Sequence, residues 1–391
     1  MHRFLIIYEQ ESTTQMMLCD FISKYCIVTG DTFRKKRSRH VTAKDIENCD
    51  IIIAVRSMVP LEAKIIESAS KANKVCICFW DDDLTENTEF LFVPKLRRKA
   101  MIKGLKRADA VLCPNSYLAH KLVTLYNVPK GIVLDTAVDS SAFIDKKEND
   151  IVKIVYAAGP SHSKDFSRYL EDAFIMLQKA CKGQFNLTFV GVQPSLSKSY
   201  DFPVSFVPCM ELNEYREHML NSNYDIGLAP LDSCEFSKSK YFNKYIEYTM
   251  VNVVGIYSKW LPYTMIIEDG KNGLFAEDSV DSWFDALRRA VSDPNLRKEC
   301  LNNSKNQLKS DFSYEAIIRR LSRDIDSLCV EKEKEKRIKP ARLYMHRAGY
   351  YIFKYCYLPC VYIKNEGFGK TRSRIKNYVT SLAILKEGDN K

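Results

Sequence analysis

The sequence has no run of 18 or more apolar residues, so no membrane-spanning helix is expected. It has no CxxC spacing and no paired cysteine framework. Its thirteen cysteines are scattered singly, several inside apolar stretches such as Cys76, Cys78 and Cys113. They read as small buried hydrophobes in a reducing compartment. The apolar run from Phe4 to Tyr8 is too short before Glu9 for a signal peptide, and none is expected. The stretch that follows, Tyr8-Glu9-Gln10-Glu11-Ser12-Thr13, contains no glycine. A phosphate cradle is excluded there, because backbone without glycine cannot approach closely and two carboxylates repel an anion.

What is present is the composition of a soluble globular protein, 46% hydrophobic and 28% charged, long enough at 391 residues for two domains. The net charge of +10 is uneven. Residues 331–391 carry 15 Lys/Arg against 6 Asp/Glu, which leaves 44 against 43 for residues 1–330. The body is nearly neutral. An anionic surface partner therefore belongs to the tail, and nucleic acid is not an expected partner.

Short apolar runs alternate with helical patterns in the first half. Phe4–Tyr8, Cys26–Val28, Ile51–Val55, Val75–Phe79, Ala110–Cys113 and Ile132–Leu134 read as strands. Thr13–Lys24, Leu61–Lys71, Pro94–Arg107 and Ser116–Tyr126 read as helices, Asn115 being the natural cap of the last. Runs apolar throughout suit a parallel sheet covered on both faces, and the βαβ rhythm predicts a doubly wound domain. Ligands of such domains bind beyond the carboxyl ends of the strands. There stand Arg56 and Trp80-Asp81-Asp82-Asp83, while Arg34-Lys35-Lys36-Arg37, with His40, reads as a basic surface loop. The aspartates suit a general base, a divalent metal or a helix cap. Side chains alternate along a strand, so all three cannot face one site if the strand continues.

The polar stretch from Asp139 to Asp150 is the expected linker. A second βα series begins at Val152. Val152–Ala158 leads into Gly159-Pro160-Ser161-His162-Ser163-Lys164-Asp165, and Phe166–Ala180 reads as a helix. Gly159 permits close approach of a ligand at the strand end. Lys164, near the helix start, stands where an anion docks. Leu187–Val190, Val204–Val207, Tyr224–Leu228 and Val253–Tyr257 continue the sheet, and three helical patterns close the series between Val280 and Val330. From Phe236 to Tyr257 a loop, a helix of three turns and a buried strand are expected, with the helix opening at Ser237-Lys238-Ser239-Lys240. Lys240, Lys244 and Glu247 then share one helix face, which is either a solvated surface or an anion site.

Residues 152–318 resemble the donor-binding domain of GT-B fold glycosyltransferases of the family 4 type. The resemblance rests on Tyr156 to Asp165, on Tyr224-Asp225-Ile226-Gly227-Leu228-Ala229-Pro230-Leu231, and on Phe236 to Lys240 with Lys244-Tyr245-Ile246-Glu247-Tyr248. It is completed by Ile267 to Leu274, and a weaker likeness covers Ala108 to Ser116 and the Trp80–Leu84 stretch. It implies an α/β chain of two Rossmann-like doubly wound domains facing a cleft. Residues 1–140 would bind acceptor, 141–150 link, 151–330 bind the nucleotide-sugar donor, and 331–391 form a basic, aromatic-rich extension.

The resemblance also implies roles. Glu247 binds the nucleotide ribose, and Lys164 stands at the donor diphosphate as a catalytic cation. Gly159, His162, Ser239, Lys240 and Lys244 complete the donor set. From its place at a strand end, not from the resemblance, Asp82 is the carboxylate expected to be catalytic. Ser239 falls where the family has a sugar-contacting Glu. In Ser258-Lys259-Trp260-Leu261-Pro262-Tyr263-Thr264 the family's glycines are lost. The implied activity is transfer of a sugar from a nucleotide-sugar to a glycan or lipid-linked glycan. It is retaining and hexosyl-transferring, uses no metal or cofactor, and belongs to bacterial surface polysaccharide synthesis in the cytoplasm. Two alternatives stand beside it: a non-catalytic glycan- or nucleotide-sugar-binding protein on the same scaffold, and a metal-dependent enzyme built on Asp81–Asp83. In the tail, Tyr344, Tyr350, Tyr351, Phe353, Tyr355, Tyr357 and Tyr362 interleave with Lys and Arg, and Lys370, Arg372, Arg374 and Lys376 follow. Residues 337–376 suit the inner face of an anionic plasma membrane, or a terminal helix packed back on the first domain.

Overall fold

The computed structural model describes residues 1–85, 93–143, 149–159, 163–333 and 349–365. The chain divides into two compact units, Met1–Val133 with the segment from Ser322 onward, and Leu134–Leu321. The second crossing falls inside one helix, between Leu321 and Ser322.

The first unit runs β1 (Arg3–Tyr8), α1 (Thr13–Thr29), β2 (Thr32–Arg37), α2 (Ala43–Glu47), β3 (Ile51–Val55), α3 (Pro60–Lys71), β4 (Val75–Phe79), α4 (Lys95–Leu105), β5 (Ala110–Cys113), α5 (Ser116–Tyr126) and β6 (Lys130–Val133). The strands form one parallel sheet in the order β2-β1-β3-β4-β5-β6. β3, β4 and β5 are buried along their whole length, as expected for strands covered by helices on both faces. Ser12 and Asn115 cap α1 and α5 by accepting from the backbone N–H three residues on.

One expected strand is corrected. Cys26–Val28 belongs to α1, which continues to Thr29 and ends at Gly30 in the left-handed conformation, φ 75°. Nothing before Gly30 breaks the helix, and Ile27 and Val28 are 79% and 67% exposed rather than buried in a sheet. The sheet edge is formed instead by the basic stretch first read as a loop. An edge strand need not be apolar, and here Lys36 pairs with Asp45 at 2.7 Å and Arg37 with Glu11 at 3.1 Å.

The second unit runs β7 (Val152–Ala157), α6 (Ser163–Ala180), β8 (Phe185–Val190), β9 (Val204–Val207), α7 (Leu212–Asn221), β10 (Ile226–Ala229), α8 (Glu235–Lys238), α9 (Asn243–Met250), β11 (Val254–Ser258), β12 (Leu274–Ala276), α10 (Val280–Ser292), α11 (Pro294–Asp311) and the crossing helix α12 (Tyr314–Glu333). Its parallel sheet has the order β12-β11-β10-β7-β8-β9. Strand order reverses at β7, where β8 and β9 lie on one side and β10 to β12 on the other. On α6 the apolar positions Phe166, Leu170, Ala173, Phe174 and Leu177 recur at helical spacing. They share a core with Trp283, Ala286, Leu287 and Ala290 of α10. Beyond the opposite face, Tyr245 and Tyr248 of α9 pack with Tyr257, Leu308 and Phe312.

Residues 349–365 are helical, with a π-turn over Phe353–Tyr357. Tyr350, Phe353 and Leu358 are buried in the first unit's core, so this part of the tail packs back on that unit. The remainder of 337–376 lies outside the described residues. Among the described residues no helix is long and apolar enough to cross a membrane.

Candidate functional site

The reversal of strand order at β7 parts the helices that follow β7 and β10, and leaves a crevice beyond the strands' carboxyl ends. A cavity of about 400 Å³ occupies it. Its floor is the ends of β7 (Tyr156, Ala157), β8 (Val190) and β10 (Leu228, Ala229). Ala158, Gly159 and Gly191 continue it. Gly191 needs to be glycine, since its φ is 76° and an added Cβ would stand 2.8 Å from the Ala158 carbonyl oxygen. A Cβ on Gly159 would meet nothing within 4 Å, so that residue faces open space.

The wall comes from the stretch between β10 and β11. The expected three-turn helix is two short ones, α8 and α9. Ser239 ends α8, Lys240 turns back to donate its N–H to the Ser237 carbonyl, and Phe242, at ψ 45°, stands outside both helices. The Phe242 and Tyr241 rings pack at a tilt of 31° with centroids 4.1 Å apart, and Phe242 is buried at the joint. Lys240 is therefore not on the helix face assigned to it. The break still brings Lys240, Lys244 and Glu247 to the same cavity.

Glu247 is held from two sides. Lys244 Nζ donates to its Oε2 at 2.7 Å and to the Tyr215 hydroxyl at 2.9 Å, while the Tyr215 hydroxyl donates to the same Oε2 at 3.1 Å. The Lys244 ammonium also lies 5.1 Å from the Tyr215 ring centroid and 5.7 Å from that of Tyr248. Burial alone would lower the Lys244 ammonium, but the Glu247 carboxylate outweighs it and holds the lysine above its ordinary value. Burial first, then the same carboxylate, pushes the Tyr215 phenol well up. Tyr248 donates to the Leu228 carbonyl at 2.8 Å and fixes α9 to the strand behind it. The result is a preorganised carboxylate, 41% exposed, beside a cation on a largely apolar floor.

The other residues expected on the donor side divide. Ser239 is 1% exposed, is not part of the cavity wall, and its Oγ finds no hydrogen-bond partner among the described residues. Lys164 is the second residue of α6, and its side chain lies outside what is described. His162 lies outside the described residues.

No family model and no curated protein sequence matches the chain. Solved structures do. HepE from Anabaena, in complex with UDP and glucose, has a TM-score of 0.58 at 11% identity over 84% of this chain and 100% of that one. Sucrose-phosphate synthase from Thermosynechococcus elongatus has 0.59 at 11% identity over 85% and 100%. The lipopolysaccharide outer core galactosyltransferase WaaB has 0.56 at 13% identity over 83% and 99%. The fold is GT-B. At such low identity the likeness carries the architecture and no residue roles.

In the first GT-B unit, strand order reverses between β1 and β3, and the charged residues gather at that edge. Arg56, just past β3, is a non-glycine residue at φ 44°. Its guanidinium grips Asp81 through Nε and Nη2 and reaches Asp82 Oδ2 at 3.0 Å. Thr14 donates to Asp81 at 2.7 Å. Asp83 turns away to Lys121 at 2.6 Å. β4 has already ended at Phe79, so the divergence comes from the loop rather than from strand alternation. No three His, Cys, Asp or Glu side chains converge among the described residues. Asp82 and the residues lining the cavity beyond β7 belong to different units.

Sequence reasoning missed Tyr215. It sits on α7, a helix not expected at all, 32 residues before the carboxylate it serves. A capping box at Glu211 and Glu214 was the available signal for that helix.

Proposed function

We propose that the chain is a glycosyltransferase that moves a hexosyl group from a nucleotide-sugar to a hydroxyl of a glycan or lipid-linked glycan, with retention. The single observation that carries this reading is the Glu247 carboxylate, pinned by Lys244 and Tyr215 in a cavity at the strand-order reversal. An ionised carboxylate accepts from two vicinal hydroxyls, which is what a ribose presents. Lys240 on the same wall, with Lys164 in the first turn of α6, meets the diphosphate. Cations there stabilise the charge that builds on the leaving group as the glycosidic bond breaks, so no metal ion is assigned a part. Asp82, steadied by Arg56, orients the accepting hydroxyl. Gly159 leaves room beside the strand end for the diphosphate.

The HepE structures hold UDP, UDP-glucose, or UDP and glucose, which makes uridine nucleotides the first donors to try. WaaB is an outer core galactosyltransferase, and a place in bacterial surface polysaccharide synthesis at the inner face of the plasma membrane follows the same line. The test is thermal unfolding of the full chain against a panel of nucleoside diphosphates and nucleotide-sugars. A ligand at one hundred times its dissociation constant adds about 2.7 kcal/mol of stability. Stabilisation by none of the panel sinks the donor site. Stabilisation without sugar release or transfer identifies a binding protein on an enzyme scaffold.

A further inference from the structure

The helix at 349–365 is unusual for a surface helix. Its charged side chains are Lys354 and Lys364 alone. Lys354 is drawn inward, 10% exposed, with Nζ 3.0 Å from the Tyr350 hydroxyl and 3.8 Å from Glu9 Oε1. One face is the anchor in the first unit's core, through Tyr350, Phe353 and Leu358. The opposite face is apolar too. Tyr351, Ile352, Tyr355 and Ile363 are 44%, 63%, 48% and 39% exposed, and Cys356 and Cys360 lie among them, exposed as well. The Tyr351 and Tyr355 rings stack at 6.1 Å and 9° to make an aromatic outer surface. A helix apolar on every side is one that something covers on every side.

Charge identifies what covers it. α4 meets this helix where the Arg97 guanidinium lies 6.0 Å from the Phe353 ring centroid. α4 carries no acidic residue; its Arg97 and Lys103 pair with Glu9 and Glu67, and Lys95, Arg98 and Lys99 add three further cations. Along the chain, residues 334–348 hold six Lys/Arg and one Glu, and Lys370, Arg372, Arg374 and Lys376 follow after the helix. A second copy of the chain seated on this face would set the α4 cations against their own kind. Tyrosines and aliphatics beside the cationic α4, in a stretch of sequence rich in lysine and arginine, match the headgroup layer of an anionic bilayer, where the rings sit at the interface and the cations meet lipid phosphates.

We propose that Tyr351, Ile352, Tyr355 and Ile363 form an interfacial face that seats the first unit on an anionic lipid surface, the helix lying in the membrane plane. This names the surface for the membrane-side acceptor of the function proposed above, and rests on that reading for its purpose but not for the binding. The experiment is co-sedimentation of the full chain, without nucleotide, with phosphatidylcholine vesicles and with vesicles also containing phosphatidylglycerol. Binding is expected only with phosphatidylglycerol and weakens as salt rises. Ile352→Asp with Tyr355→Asp lowers the partition about tenfold or more, with melting temperature and nucleoside diphosphate affinity unchanged. Ile352→Trp at the same exposed site raises it, which covers the case in which the double variant loses stability. Failure of the wild type to bind anionic vesicles overturns the inference. So does wild-type binding by the double variant without an increase in Ile352→Trp, or a dimer in solution that the double variant makes monomeric. Vesicle binding by a chain that takes no nucleotide leaves this inference standing and removes only the glycosyltransferase reading.

Discussion

Glu247→Gln tests the donor site with the smallest change of shape. The amide keeps the side-chain volume and one acceptor oxygen, so Lys244 and Tyr215 retain a neutral partner. What is lost is charge. Hydrogen bonds to a charged group contribute about 1.5–3 kcal/mol each, against about 1 for neutral ones. Glu247 is 41% exposed, so solvent screening places the loss at the lower end of that range. About 1.5 kcal/mol of ribose binding corresponds to a roughly tenfold rise in the dissociation constant. The assay is titration calorimetry with whichever nucleoside diphosphate stabilises the wild type. Tyr215→Phe removes one donor to the carboxylate and is expected to cost less, about 0.5–1.5 kcal/mol. The double variant gives a cycle in which the two losses are not additive, because both act on the same oxygen. An unchanged dissociation constant in Glu247→Gln refutes the reasoning. The carboxylate would then be a pin for α7 and α9, with the ribose held elsewhere.

Three further outcomes are expected. Gly255→Ala places a Cβ 1.9 Å from Cζ of the buried Tyr257 ring, and overpacking of this kind costs about 1–3 kcal/mol, read as a lower denaturant midpoint. Glu62 is fully buried and accepts from Ser38 Oγ and from the Met58 and Val59 N–H groups. Burial first, then Glu9, pushes its carboxyl from an ordinary 4.5 up to about 8. The folded state then holds the proton more tightly than the unfolded state, so this contribution is complete below pH 4.5 and is lost as pH rises through about 8. Glu62→Gln removes that slope, and denaturation at a series of pH values between these limits shows a flatter profile than the wild type. Arg56→Met deprives Asp81 and Asp82 of their guanidinium. These groups are partly exposed, so the cost in stability is about 1 kcal/mol. Turnover falls while nucleoside diphosphate affinity stays at the wild-type value, and a parallel loss of nucleotide affinity would contradict the placing of Asp82 on the acceptor side.

Much of the fold was legible because buried parallel strands are apolar throughout. Ile51–Val55, Val75–Phe79 and Ala110–Cys113 match the observed strands at both ends. The edge strand β2 was not legible, for the same reason, although Val204–Val207 at the edge of the second sheet was. β2 ends in four consecutive cations, and its strand character comes only from pairing with β1. α1 absorbed Cys26–Val28 because helix continuation depends on the stop at Gly30, not on local apolarity. In the site, Gly159, Lys240, Lys244 and Glu247 were named from the sequence and meet in one cavity. The route was different from the one expected, since the helix that was to align them is broken at Ser239 to Phe242.

By itself the sequence determined the two doubly wound α/β halves, the near-neutral body with its basic tail, and several of the residues that line the cavity beyond β7. These follow from periodicity, charge and spacing, which are local properties of the chain. Tertiary structure alone decided that Tyr215 and Lys244 pin Glu247, that Asp83 parts company with Asp81 and Asp82, and that Ser239 is sealed behind the cavity wall. It also decided which face of the 349–365 helix is anchored and which is left bare. Each of these depends on groups distant in sequence reaching the same few ångströms, and only the packed chain brings them there.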